Sequence, residues 1–169
     1  HTLTTECFVP MFYRISESGV VKNLVMNYNA TAASTLNYQS TTGALAVYNY
    51  GTLQNIIVHY RPDNQAYGID VRYSGGICRF NYGTIDGFMV QMMKDVHVYD
   101  NFGGVCQENY GTISNGYVCA DKVTDENGTV RDARVIHVRE DASGNILSTQ
   151  TPYVGLCVGN NGARATIEN

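Results

Sequence analysis

The chain has 169 residues, 44% of them hydrophobic, enough for one sizeable domain with a narrow core. Charged residues make up only 15% and the net charge is -4 without a Lys/Arg cluster, which argues against a nucleic-acid ligand. No apolar run approaches the length needed to span a bilayer as a helix, so no membrane insertion is expected.

In chain order, the first element is MFYRISESGVVKNLVM within 10–26, which ends in a short apolar strand. It is followed by three nearly identical stretches, GALAVYNYGTLQNIIV at 43–58, GGICRFNYGTIDGFMV at 75–90 and GGVCQENYGTISNGYV at 103–118. Their starts lie 32 and 28 residues apart, and each reads as glycine, short strand, Asn-Tyr-Gly-Thr corner, second strand. NGTVRDARVIHV keeps a Gly-Thr-Val corner, and VGLCVGNNGARATIEN at 154–169 opens another copy.

Set in register, Val21, Leu53, Ile85, Ile113 and Val130 form one apolar column, and Met26, Val58, Val90, Val118 and Val135 a second. Leu24, Ile56, Phe88, Gly116 and Ala133 lie between them, and Leu45, Ile77, Val105 and Leu156 form an inward set on the preceding strand. A period near two with a tolerant face describes half-buried strands, whereas no apolar set recurs at three and four over a helix length. A unit of this size cannot bury its own apolar face, so copies must stack. The pattern predicts an all-β fold, a right-handed parallel β-helix (β-solenoid) of about five to six coils near 9–42, 43–74, 75–102, 103–126, 127–153 and 154–169. Residues 1–169 form one uncapped β-helix domain in this reading, excised from a larger protein, with flanking repeats or domains of the same protein as partners.

Cys78, Cys106 and Cys157 share one slot, filled by Ala46 and Phe12 in other copies, and are expected as a packed, reduced ladder; one disulfide is the alternative. Cys7 and Cys119 fall outside that column. No metal site is expected, since no C-x-x-C occurs and His59, His97 and His137 lack a second ligand at short spacing. Asp121, Asp125 and Asn127 miss the spacing of a calcium loop. At the corner, Asn49, Asn81, Asn109 and Asn160 should bond to the turn backbone and to one another, with Gly51, Gly83, Gly111 and Gly162 supplying positive φ. No cofactor is expected. The sequons at Asn29 and Asn127 arise readily by chance in such a composition.

The three strong copies resemble the GLUG motif, Gly-Gly-Leu-Val-Gly followed by Asn-x-Gly-x-Ile-x-Asn-Cys, over about two thirds of the chain. Departures are Ala44 in the second slot, Tyr48, Phe80 or Glu108 in the fifth until Gly159, and the poorly fitting 119–153. The resemblance implies a parallel β-helix in an adhesin-like, secreted or cell-surface bacterial protein, and no catalytic residue within the repeats.

Two functions follow as expectations. The first is a non-catalytic structural or adhesive module, extracellular or on the cell surface. Tyr48, Tyr50, Phe80, Tyr82 and Tyr110 would offer stacking area to carbohydrate or to another host or cell-wall ligand. The alternative is a fragment of a β-helical polysaccharide lyase or glycoside hydrolase that uses acidic residues in the inserts, with Asp70, Arg72, Asp95 and Asp100 as its candidates.

Overall fold

The computed structural model describes residues 1–5, 10–29, 41–61, 71–137 and 153–168. All regular structure among them is strand. Three parallel sheets are built from strands one repeat apart, a solenoid-like pattern. The first sheet runs Thr2–Thr5, Val20–Tyr28, Thr52–Tyr60, Thr84–Met92, Thr112–Ala120, Thr166–Glu168. The second runs Phe12–Ile15, Ala46–Asn49, Cys78–Asn81, Cys106–Asn109, Val158–Asn161. The third joins Thr41–Gly43, Val71–Gly75, Val96–Gly103 and Val135–His137, with Val154–Gly155 also on Val96–Gly103. The turns at 41–60, 71–92 and 96–120 therefore visit the third sheet, kink at two residues such as Gly76-Ile77, cross the second sheet, bend at Asn-Tyr-Gly and enter the first.

Registers follow the strong repeats. Val21 stands opposite Leu53, Leu53 opposite Ile85 and Ile85 opposite Ile113. Met26, Val58 and Val90 are likewise in line and fully buried, as are Leu45, Ile77 and Val105 from the neighbouring face. Removing such a side chain from water contributes about 1.5–3 kcal/mol, and one cluster gathers them all between the sheets. Tyr28 and Tyr60 stack inside it with centroids 5.1 Å apart. The Tyr60 hydroxyl reaches Ser74 Oγ at 3.3 Å, while burial pushes its pKa up to about 12.

The inward set at 21, 24 and 26 is not a plain two-residue alternation. Asn23, Asn55 and Asn115 have φ of 56°, 54° and 55°, and Gly87 has 68°, so one left-handed residue per turn absorbs the extra position. Asn and Gly are the residues that tolerate this backbone.

Several expectations need correction. Val130 does not continue the apolar column: Val130–Asp132 pairs antiparallel with Lys122–Thr124, and Val130 is 65% exposed. The Asp125 carboxylate accepts the N–H groups of Asn127 and Thr129, so Asp125-Glu126-Asn127-Gly128 closes a hairpin instead of a solenoid corner. Ile167 takes the place opposite Ile113, and Val135 pairs with Val96, not with Val118. The final copy is shifted by one residue, since Gly155 stands opposite Gly103 and Val158 opposite Cys106. Leu156 is therefore 63% exposed and Cys157 leaves the predicted column. Cys78 and Cys106 do face each other across adjacent turns, buried and free. Burial first, then the neighbouring Cys78 thiol, raises the Cys106 pKa well above the ordinary thiol value.

The corner glycines have another cause than the expected positive φ. A Cβ on Gly83 would lie 2.1 Å from the Gly51 carbonyl oxygen, and one on Gly111 2.0 Å from that of Gly83. Stacked corners approach too closely for any side chain.

Candidate functional site

The outer corner between the second and first sheets carries the sequence-predicted aromatic residues. Beneath them the Asn ladder forms the corner's inner wall. Asn49 Nδ2 donates to Asn81 Oδ1 at 2.8 Å, Asn81 to Asn109 at 2.8 Å and Asn109 to Asn161 at 2.9 Å. Each amide also serves its own turn: Asn49 Oδ1 accepts from Gly51 N, and Asn81 Nδ2 reaches the carbonyls of Gly83 and Thr112. Asn161, not Asn160, is the fourth rung, and Ile15 fills this column opposite Asn49 in the first turn. With the wall fixed, the residue after each Asn projects outward at the spacing of the turns.

Two ring columns result. Tyr50 and Tyr82 stack at 4.8 Å with planes 7° apart, and Tyr82 and Tyr110 at 4.9 Å and 9°. Beside them Tyr48 stacks on Phe80 at 5.2 Å, and Tyr13 meets Tyr48 edge-on at 5.5 Å. Two cations, which the sequence analysis did not single out, close this surface. The Arg14 guanidinium lies 4.4 Å from the Tyr50 centroid and that of Arg79 4.3 Å from Phe80. Glu108 takes the aromatic slot next in line after Phe80 and accepts a hydrogen bond from the Tyr110 hydroxyl. That bond, ahead of burial, holds the Tyr110 phenol up at about 12. Burial is the first cause of the raised Tyr82 pKa, followed by Tyr50 and Glu108.

The geometry decides what the rings can offer. Faces within Tyr50, Tyr82 and Tyr110 are turned toward one another, Arg14 covers the outer face of the stack at one end, and a Cβ on Gly162 would lie 2.8 Å from Tyr110 Cδ1 at the other. What reaches solvent at Tyr82 and Tyr110, 41% and 42% exposed, is ring edge and hydroxyl. A sugar would meet hydroxyls and edges here more readily than an open ring face.

Of the acidic candidates, Asp95 and Asp100 fall within the described residues. Asp95 is held in a bidentate pair with Arg131, at 2.8 Å and 2.5 Å, and accepts the Arg134 N–H at 2.9 Å. Arg131, ahead of the backbone donor, keeps the Asp95 carboxyl below the usual carboxylate range. This pair ties the hairpin to the segment between the first and third sheets, a role the sequence reading missed because the partners are 36 residues apart. Asp100 is 4% exposed and lies in a bulge, where Tyr99 and Asp100 stand against Arg72 alone. The Arg72 backbone belongs to Val71–Gly75, its side chain and Asp70 lying outside the described residues.

A polar file on the first sheet was also unforeseen. Gln91 Nε2 donates to Asp121 Oδ1 at 2.6 Å, which leaves Gln91 Oε1 to accept from His59 Nδ1 at 2.8 Å. Asp121 is thereby engaged, as is Asp125 in its hairpin. Among the described residues no three His, Cys, Asp or Glu side chains are grouped to hold a metal ion, and no helix is long and apolar enough to cross a membrane. No protein-family model, curated protein sequence or solved structure matches the chain.

Proposed function

We propose that the chain is a non-catalytic structural and adhesive repeat module of an extracellular or cell-surface bacterial protein, its turns forming five to six coils of a right-handed parallel β-helix with a GLUG-like unit. The observation that carries this reading is the internal satisfaction of the repeated polar positions. The Asn amides bond to the next turn and to their own corner, and Asp95 is neutralised by Arg131. Residues arranged so are engaged in holding a scaffold, whereas catalysis needs a carboxylate left open to substrate. Partners in this reading are flanking repeats or domains of the same protein, and the exposed Tyr82 and Tyr110 hydroxyl edges are its contact surface for carbohydrate, with Tyr48, Tyr50 and Phe80 behind them. A glycan array with intact protein, run beside a reducing-sugar assay on acidic polysaccharides, tests it. Binding without turnover, lost in Tyr82→Ala and Tyr110→Ala, is the expected result. Turnover abolished by Asp95→Asn or Asp70→Asn would establish the lyase or hydrolase alternative instead.

A further inference from the structure

The Tyr50–Tyr82–Tyr110 column differs from a plain packing ladder in being electrically polarised along its length. One end carries the Arg14 guanidinium 4.4 Å from the Tyr50 centroid. At the other, the Tyr110 hydroxyl donates to the Glu108 carboxylate. Between them the rings overlap nearly face to face, at 4.8 Å and 4.9 Å with planes within 9°. Removing an electron from a tyrosine makes the ring positive and its hydroxyl strongly acidic. A cation over the ring opposes that step by Coulomb repulsion, and a hydrogen-bonded carboxylate favours it by attracting the charge and accepting the proton. Overlapping rings at these separations let the vacancy move along the column to its most favourable site.

We propose that this column collects one-electron oxidation and delivers it to Tyr110, making Tyr110 the oxidative modification and cross-linking site of the protein. The reactant is a one-electron oxidant arriving from solvent. It takes one electron from any ring of the column, and the vacancy settles at Tyr110 as the phenolic proton passes to Glu108, leaving the neutral phenoxyl radical and the reduced oxidant. Two such radicals on two copies of the chain join through ring carbons ortho to oxygen. The new carbon–carbon bond uses both unpaired electrons, and each ring regains aromaticity by moving its ortho hydrogen to oxygen. Overall, two electrons and two protons leave for one dityrosine. Tyr110 is 42% exposed, which leaves its ring accessible to a second copy, whereas coupling within the stack is opposed by the parallel planes.

The test exploits a conflict between this mechanism and simple exposure. Tyr13, Tyr117 and Tyr153 are 72%, 59% and 60% exposed, all more than Tyr110, so unguided oxidation would fall on them first. The intact chain is oxidised with photoexcited ruthenium tris-bipyridine and persulfate, and tyrosine products are mapped by peptide mass spectrometry alongside dityrosine fluorescence. The expected result is modification of Tyr110 about tenfold over Tyr13, a ratio equal to about 1.4 kcal/mol. Cross-linked dimer should be lost in Tyr110→Phe, and in Glu108→Gln modification should spread to Tyr82 and Tyr50, with unchanged circular dichroism confirming both folds. Products distributed by exposure, or a Tyr110 preference that survives Glu108→Gln, would overturn the proposal.

Discussion

Replacing Asn81 by Ala removes the middle rung of the corner ladder. Two side-chain bonds of 2.8 Å are lost, one donated to Asn109 and one accepted from Asn49, together with the longer 3.3 Å contacts of Asn81 Nδ2 to the Gly83 and Thr112 carbonyls, which add little. At a net value of about 1 kcal/mol each they account for about 2 kcal/mol. The remaining cost is what the neighbours keep. Asn49 Nδ2 retains only the Thr84 carbonyl at 3.4 Å and Asn109 Oδ1 only the Gly111 N–H at 3.3 Å, and Asn81 is fully buried, so water does not reach the gap. Partial loss of satisfaction and the small cavity bring the total to about 3–4 kcal/mol. Asn161→Ala is the internal control: it breaks the rung of 2.9 Å and a long 3.5 Å bond to the Ala165 carbonyl at an exposed position, where solvent substitutes, and should cost about 1 kcal/mol or less. Urea unfolding followed by circular dichroism reads both, and with a slope of about 2 kcal/mol/M the Asn81 midpoint should fall by about 1.5–2 M. Equal losses for Asn81→Ala and Asn161→Ala, or a change below about 1 kcal/mol at Asn81, would refute the view that the buried ladder holds the corner.

Gly83→Ala should cost more than about 3 kcal/mol or prevent folding, because the clash is with backbone, while Gly128→Ala, with open space around it and φ of 79°, should cost only about 1 kcal/mol; melting temperatures compare them. The Asp95–Arg131 pair should make stability pH-dependent. Its folded carboxyl pKa is depressed, so the stabilisation is present above the ordinary carboxylate range and disappears as pH falls through the lowered folded value. Asp95→Asn should flatten that acid limb of the melting-temperature profile, and an unchanged limb would show that the pair contributes nothing. Thiol labelling should modify Cys119 and Cys157 before Cys78 and Cys106, which are fully buried, and rapid native labelling of Cys106 would contradict the packing. Asn55→Gly should be tolerated whereas Asn55→Val should lose about 1–2 kcal/mol in urea unfolding, since only the left-handed backbone distinguishes them.

The all-β, repeat-stacked character was legible because three copies carry the same side chains at the same offsets. Leu53, Ile85 and Ile113 announce one column without any structural help, and the Asn-Asn bonding follows from a buried amide needing both donor and acceptor. Legibility failed where copies decay. At 154–161 a lone Gly155 allows two alignments, and only the fit of Asn161 under Asn109 selects between them. At 119–135 a Gly-Thr-Val triplet imitates a corner, but Asp125 bonds the Asn127 and Thr129 amides into a hairpin. The left-handed column was written in the sequence as Asn23, Asn55, Gly87 and Asn115, and could have been found by asking why inward residues fall three apart and then two. The aromatic residues were located correctly as neighbours, yet whether rings show faces or edges depends on side-chain torsions that composition does not encode. Arg14 and Arg79 were missed because a cation over a ring leaves no periodic trace.

The in-register stacking of the corners also bears on how such a chain changes length. Removal of 51–82 would fuse Tyr50 to Gly83 and recreate Asn-Tyr-Gly-Thr at the junction, with Val21 then opposite Ile85 and the Asn49 amide facing that of Asn109. The apolar and amide columns would each meet a partner of the same kind, while Tyr48 would come to stand opposite Glu108. A deletion of a few residues inside the same interval of a strand would set apolar side chains against solvent and break the amide file. A change of length by one whole turn is thus the step that the stacked columns accommodate, whereas a fraction of a turn breaks them.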